Sequence, residues 1–203
     1  MMKKFKVLLL IFALTFSIGA IGQALSYNGV FSYAMPQGDA FKDANGDKTT
    51  SFGLSYEVDL LYFHGFLDDR LGLGLTYFGS ALFGEDNSSA FDIGIYGLSL
   101  VGAKGMYRLL PIDEPISPYG ALGLGVSTFS TPEVTSGGAV LVPADKSFSF
   151  GLRPELGLDL GGFIISVAYF VPMKYNVSGA LGSFKGTAGA LTIGLGYRGY
   201  FSF

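Results

Sequence analysis

The chain has 203 residues, 31 of them glycine, with 15% aromatic residues, only 14% charged residues and no cysteine. A soluble domain of this size carries roughly 25% charged residues, yet beyond the N-terminus no apolar run of ~18 residues is available to cross a bilayer as a helix. With a mean hydropathy of +0.44, the chain points to the other structure that satisfies every backbone group in lipid, a closed β-barrel. The missing cysteine excludes disulfides, a thiolate metal site and a lipid-anchored N-terminus. The excess of 16 acidic over 13 basic residues disfavours nucleic acid as a partner.

Residues 1–24 have the three parts of a cleaved signal peptide. Lys3, Lys4 and Lys6 form a basic start, residues 7–16 an apolar core, and Gly22-Gln23-Ala24 a small-x-small cleavage site. The mature chain, 25–203, is then expected to begin at Leu25 and to form one barrel domain.

Alternation at period two dominates the mature chain. Phe52, Leu54, Tyr56, Val58 and Leu60 interleave with Gly53, Ser55, Glu57 and Asp59. Leu152, Leu156, Leu158 and Leu160 interleave with Arg153, Glu155, Gly157 and Asp159. One face is large and apolar, the other small or charged. A soluble sandwich turns its large residues inward and a long-chained polar face outward. A small, glycine-rich second face suits instead the crowded inside of a narrow barrel with lipid outside.

The pattern predicts an all-β fold, a closed antiparallel transmembrane barrel of about eight strands in an up-and-down meander. The predicted strands are 27–36, 51–64, 70–83, 92–109, 117–130, 147–160, 162–175 and 187–203. Long polar connectors at 37–50, 84–91, 131–146 and 176–186 alternate with short ones at 65–69, 110–116 and Gly161-Gly162, as extracellular loops alternate with periplasmic turns. Pro154, which has no N–H to give a ladder, predicts a bulge. The fourth strand loses phase near Gly97, because Ile93 and Ile95 run out of step with Leu98 and Leu100.

Aromatic residues gather near strand ends, as rings at two membrane interfaces do. The predicted periplasmic belt is Tyr62, Phe66, Tyr107, Tyr119, Phe163 and Phe203. The outer belt is Tyr33, Phe52, Tyr77, Phe83, Phe91, Phe129, Phe148 and Tyr175.

Alternation aims Glu57, Asp59, Lys104, Arg153, Glu155, Asp159 and Arg198 into the lumen. Isolated ions there cost several kcal/mol each, so they are expected to pair as a structural network; a gated narrow pore is the rival reading. Leu158→Arg, on the lipid face, is expected to be harmful and the inward Gly157→Ser milder. The only histidine, His64, falls at the periplasmic end of its strand, away from the outer leaflet where a lipid-trimming triad would act, and the chain is read as non-enzymatic. Asp43-Ala44-Asn45-Gly46-Asp47 resembles the start of a calcium loop, but Lys48 stands at the required glycine, and no metal or cofactor is expected. The Gly-Leu-Gly segments precede no helix and cradle no phosphate.

With the first strand ending Tyr33-Ala34-Met35-Pro36-Gln37-Gly38-Asp39, the stretch Ser117-Pro118-Tyr119-Gly120-Ala121-Leu122-Gly123-Leu124-Gly125 and a terminal Phe203, the mature chain resembles the small outer-membrane barrel families of the OmpX, OmpW and OmpA-barrel kind. The resemblance implies residence in the bacterial outer membrane, with membrane lipid and the barrel-assembly machinery as partners. It further implies that Leu195, Tyr197, Phe201 and Phe203 form the assembly signal, although Gly199 interrupts their alternation. The role of the exposed loops, and any external ligand, is left open.

Overall fold

The computed structural model describes residues 24–202 apart from 43–44, 47, 64–66, 85–93, 133, 137–138, 143 and 180–181. The signal-peptide segment through residue 23, His64, most of the calcium-like loop and Phe203 lie outside the described residues. The strands are β1 (Ala24–Gln37), β2 (Thr50–Phe63), β3 (Leu71–Gly84), β4 (Ile95–Arg108), β5 (Ile116–Thr131), β6 (Val134–Ser136), β7 (Ala139–Val142), β8 (Asp145–Leu160), β9 (Phe163–Gly179) and β10 (Gly182–Ser202). Eight of them close into an antiparallel barrel in which each pairs with its neighbour along the chain and β1 pairs with β10. The remaining two, β6 and β7, form a hairpin within the connection from β5 to β8. Among the described residues no helix is long and apolar enough to cross a membrane.

The alternation read from the sequence sets the two faces of the wall. On β8, Leu156 is 72% exposed on the outside while Glu155, its neighbour, is 3% exposed in the lumen. On β2, Leu54, Tyr56, Val58 and Leu60 face out, and Ser55, Glu57 and Asp59 are buried inside. An apolar exterior around a polar interior is the arrangement of a barrel in lipid. Leu158→Arg should therefore cost about 1–2 kcal/mol in vesicle unfolding assays, between the midplane and interface values, because it places a charge on the lipid face two residues from the β8–β9 turn. The neighbouring Gly157→Ser is not the mild change the alternation suggested. A Cβ on Gly157 collides with the Tyr119 ring, and so drives that ring away from its bond to Glu155. A Leu158→Arg variant that unfolds like wild type would contradict this facing.

Several expectations need correction. Pro154 makes no bulge; it sits opposite Leu122 in an unbroken β5–β8 register. Its effect falls on the other neighbour, since the β8–β9 ladder runs from Leu160↔Phe163 only as far as Glu155↔Ala168. The register shifts in the barrel wall lie elsewhere, in β9, where Val171 and Pro172 together face Gly189 of β10, and in β2 at Ser51, between Thr50↔Gly84 and Phe52↔Phe83. Nor does β4 slip. Its pairing with β3 and β5 is continuous, and Leu98 and Leu100 point inward in phase with Lys104. Apolar residues there are a change in what fills the lumen, not a change of register.

Tyr119, Phe129 and Tyr175 are buried inside the barrel and belong to neither aromatic belt. Tyr33, Phe52 and Phe148 are exposed toward the outer end and Tyr107 and Phe163 toward the periplasmic end, whereas Tyr77, expected in the outer belt, lies at mid-strand opposite Val58 and Val101. The polar segment at 176–186 is largely strand, so that β9 and β10 continue beyond Gln37↔Gly189, where β1 stops. The Gly161-Gly162 hairpin is present, with φ of 66° and 99° at its two glycines, as a tight turn between twisted strands requires.

Candidate functional site

Strands β1, β2, β4, β5 and β8 carry five charged side chains and their partners to one level of the lumen. Lys104 of β4 is 3% exposed at its centre. Its ammonium donates to Glu57, to Asp59 Oδ2 at 2.6 Å and to Glu155 Oε2 at 2.7 Å. Arg153 Nη1 lies 2.5 Å from Glu57 Oε2 and 3.3 Å from Glu155 Oε2. Tyr119 donates to Glu155 Oε1 at 2.7 Å, and Asn28 Nδ2 to Asp59 Oδ2 at 3.0 Å. Charges taken this far out of water persist only where such partners surround them. Glycines make the room: a Cβ at lumen-facing Gly74, Gly102 or Gly125 would collide with neighbouring backbone.

A second ionic group lies nearer the periplasmic end. Asp159 Oδ2 accepts from Arg108 Nη1 at 2.6 Å, Arg198 Nη1 at 3.1 Å and the Tyr200 hydroxyl at 2.8 Å. Its Oδ1 accepts from the Gly162 N–H at 2.8 Å, which ties the group to the β8–β9 turn. Arg108 also reaches the carbonyls of Pro111 and Glu114 and so braces the turn after β4. The Arg198 guanidinium lies 4.8 Å from the centroid of the Tyr119 ring, which links the two groups.

Apolar side chains fill one end of the lumen and flank the second ionic group at the other. Toward the extracellular side, Phe41, Phe78, Leu82, Leu98, Leu100, Phe129, Phe170 and Tyr175 are each at most 2% exposed. Phe41 comes from a 3-10 turn, Asp39–Phe41, in the β1–β2 loop, and meets Phe129 and Tyr96 edge-on at 5.7 and 5.8 Å. Asp39 N–H donates to Thr187 Oγ1 at 3.1 Å and holds that turn against β10. The plug rests on the ionic layer, with Arg153 4.6 Å from the Phe78 ring centroid. Beside the second ionic group, Leu61, Phe63, Met106 and Ile164 are at most 1% exposed; Met106 stands between Lys104 and Arg108 on β4, and Ile164 opposite Asp159.

All seven charged residues aimed inward by alternation lie buried in the lumen. The structure divides them between the two groups, five around Lys104 and two around Asp159. Sequence reasoning missed Arg108, although its spacing of four from Lys104 on one strand put it on the same face. It also missed Asn28, Tyr119 and Tyr200. Phe41 gave no signal, because it reaches the lumen from a loop. Of the residues expected to form an assembly signal, Leu195, Tyr197 and Phe201 face outward and are exposed. Among the described residues no group of three His, Cys, Asp or Glu side chains is placed to hold a metal ion.

No family model matches the sequence, and no curated protein matches it. Solved structures do. Ail, the attachment invasion locus protein of Yersinia pestis, solved in complex with the heparin analogue sucrose octasulfate, aligns with a TM-score of 0.51 at 19% identity, over 88% of this chain and 99% of that one. Neisserial surface protein A aligns at 0.46 and 16% identity, over 86% and 96%. The N-terminal β-barrel domain of Pseudomonas aeruginosa OprF aligns at 0.43 and 13%, over 88% and 100%. At these identities the likeness is one of fold. The chain has the fold of a small, closed, eight-stranded antiparallel β-barrel, which it shares with Ail.

Proposed function

We propose that this chain is a non-enzymatic barrel of the bacterial outer membrane, a structural element of the envelope whose extracellular loops are the surfaces offered to external partners. The observation that carries the reading is the lumen, occupied by an apolar plug at one end and, beyond it, by two ionic groups interleaved with buried apolar side chains. A passive pore needs a polar path from one end to the other, and a hydrophobic constriction such as the Phe41–Phe129 layer opposes one by excluding water.

The loops also bear on partner chemistry. The long connectors 37–50, 84–91, 131–146 and 176–186 contain seven acidic and four basic residues. That balance favours neutral or basic partners over a polysulfated one, in contrast to the ligand seen with Ail. Bilayer lipid against the apolar wall, and the assembly machinery reading the last strand, complete the proposed partners.

Fractionation of expressing cells, with N-terminal sequencing of the recovered protein, tests the reading. The expected product begins at Leu25, resides in the outer membrane and migrates differently on gels before and after heating. Recovery from the soluble periplasm would overturn it.

A further inference from the structure

Arg198 of β10, Asn28 of β1 and Asp59 of β2 form one row across adjacent strands, since Asn28 stands directly opposite each of the other two. All three point into the lumen and are at most 2% exposed. The Asn28 amide nitrogen donates to Asp59 Oδ2 at 3.0 Å. A carboxylate only accepts, so the nitrogen faces β2 and the amide oxygen turns away from that bond. That oxygen, Asp59 Oδ1 and, on Arg198, both Nε and Nη2 have no hydrogen-bond partner among the described residues. Buried polar atoms are costly to leave so in a low-dielectric interior. One row thus carries spare acceptors on two strands and spare donors on the third.

Donors and acceptors do not meet directly because Arg198 is held elsewhere. Its Nη1 reaches Asp159 of β8 at 3.1 Å, and its guanidinium lies 4.8 Å from the centroid of the Tyr119 ring of β5. Both anchors stand on strands remote from β1 in the barrel order, so the side chain is drawn across the lumen and away from Asn28. Charge decides what kind of molecule can stand between them. The buried charges among the described residues are four cations, Lys104, Arg108, Arg153 and Arg198, and four carboxylates, Glu57, Asp59, Glu155 and Asp159. A bound ion of either sign would upset that balance and leave an uncompensated charge in the interior. The occupant is therefore neutral, small, and able to donate and accept at once.

We propose that a water molecule is a fixed part of this row, accepting from the Arg198 guanidinium and donating to Asn28 Oδ1 and Asp59 Oδ1. About three polar partners are the usual complement of a buried water. The bridge ties the two ionic groups together. Around Lys104, three carboxylates face two cations, and around Asp159, two cations share one carboxylate. Through the water, Arg198 of the positive group faces Asp59 of the negative one, a carboxylate that it does not touch.

A crystal structure of the barrel at a resolution that orders solvent tests the bridge without any substitution. A water within about 2.7–3.2 Å of Asn28 Oδ1 and of Arg198 Nε or Nη2 is expected. Crystals soaked in bromide should show no anomalous peak at that place. A bromide beside Arg198, a direct bond from Arg198 to Asn28, or a dry contact between the two would overturn the proposal. Urea unfolding from lipid vesicles adds a readout in the membrane. Asn28→Leu keeps the volume but removes the amide and with it the bridge, leaving buried donors and acceptors unmatched. It should lower the folding equilibrium roughly tenfold or more, and a change under about twofold would equally overturn the bridge.

Discussion

Lys104→Met should destabilise the barrel by about 3–5 kcal/mol, the cost of leaving a buried ionic group without its partner. The lysine is the meeting point of three carboxyls from two strands, at 3% exposure. Methionine fills similar volume, so lost packing contributes little and the measured change reports charge. The surface pair Arg70–Asp68 is the natural control: its atoms are 3.8 Å apart and Asp68 is 81% exposed. Arg70→Ala should cost no more than about 1 kcal/mol, since water replaces the lost partner. Urea unfolding in vesicles measures both. Arg153→Ala should also cost several kcal/mol, and combining it with Glu155→Ala should cost less than the two single changes added together.

The second large effect is expected at the plug. Phe129→Ala should cost about 3–5 kcal/mol, because it removes a fully buried ring and leaves a cavity that a closed barrel cannot collapse to fill. Phe129 touches Phe41, Tyr96 and Tyr175 with ring centroids 5.4–6.1 Å apart. Its loss therefore loosens the loop residue from the strand residues as well. Unfolding of the variant alongside wild type measures the cost. A change within about 1 kcal/mol, the range of an ordinary surface substitution, would mean that the extracellular half of the lumen does not depend on this layer.

Period-two patterning was enough to place the wall, because every residue pair on a strand repeats the same choice between lipid and lumen. Glu57 and Asp59, or Arg153 and Glu155, could be aimed from spacing alone. What spacing does not contain is the distance across the barrel. Lys104 meets Asp59 and Glu155 only because closure brings β2, β4 and β8 around one axis. The rule that large residues face lipid also failed at a particular place. Leu98, Leu100 and Phe129 are large and inward, because the extracellular half of the lumen is filled by packing rather than by ion pairs. Judged by side-chain size, β4 slips; judged by phase from Lys104, it does not. Pro154 misled for a related reason. A missing N–H matters only on the side where the ladder needs it, and here the β5–β8 register passes through the residue while the β8–β9 ladder stops beside it.

Single-channel recording in planar bilayers tests the central claim, that the lumen is a sealed structural interior, most directly. Purified wild-type barrel should leave the membrane at baseline, while the same preparation of Arg153→Ala loses stability in urea without gaining a defined conductance state. Reproducible current steps from the wild type, altered by Arg153→Ala at unchanged stability, would contradict the claim and make the ionic layer part of a conducting path.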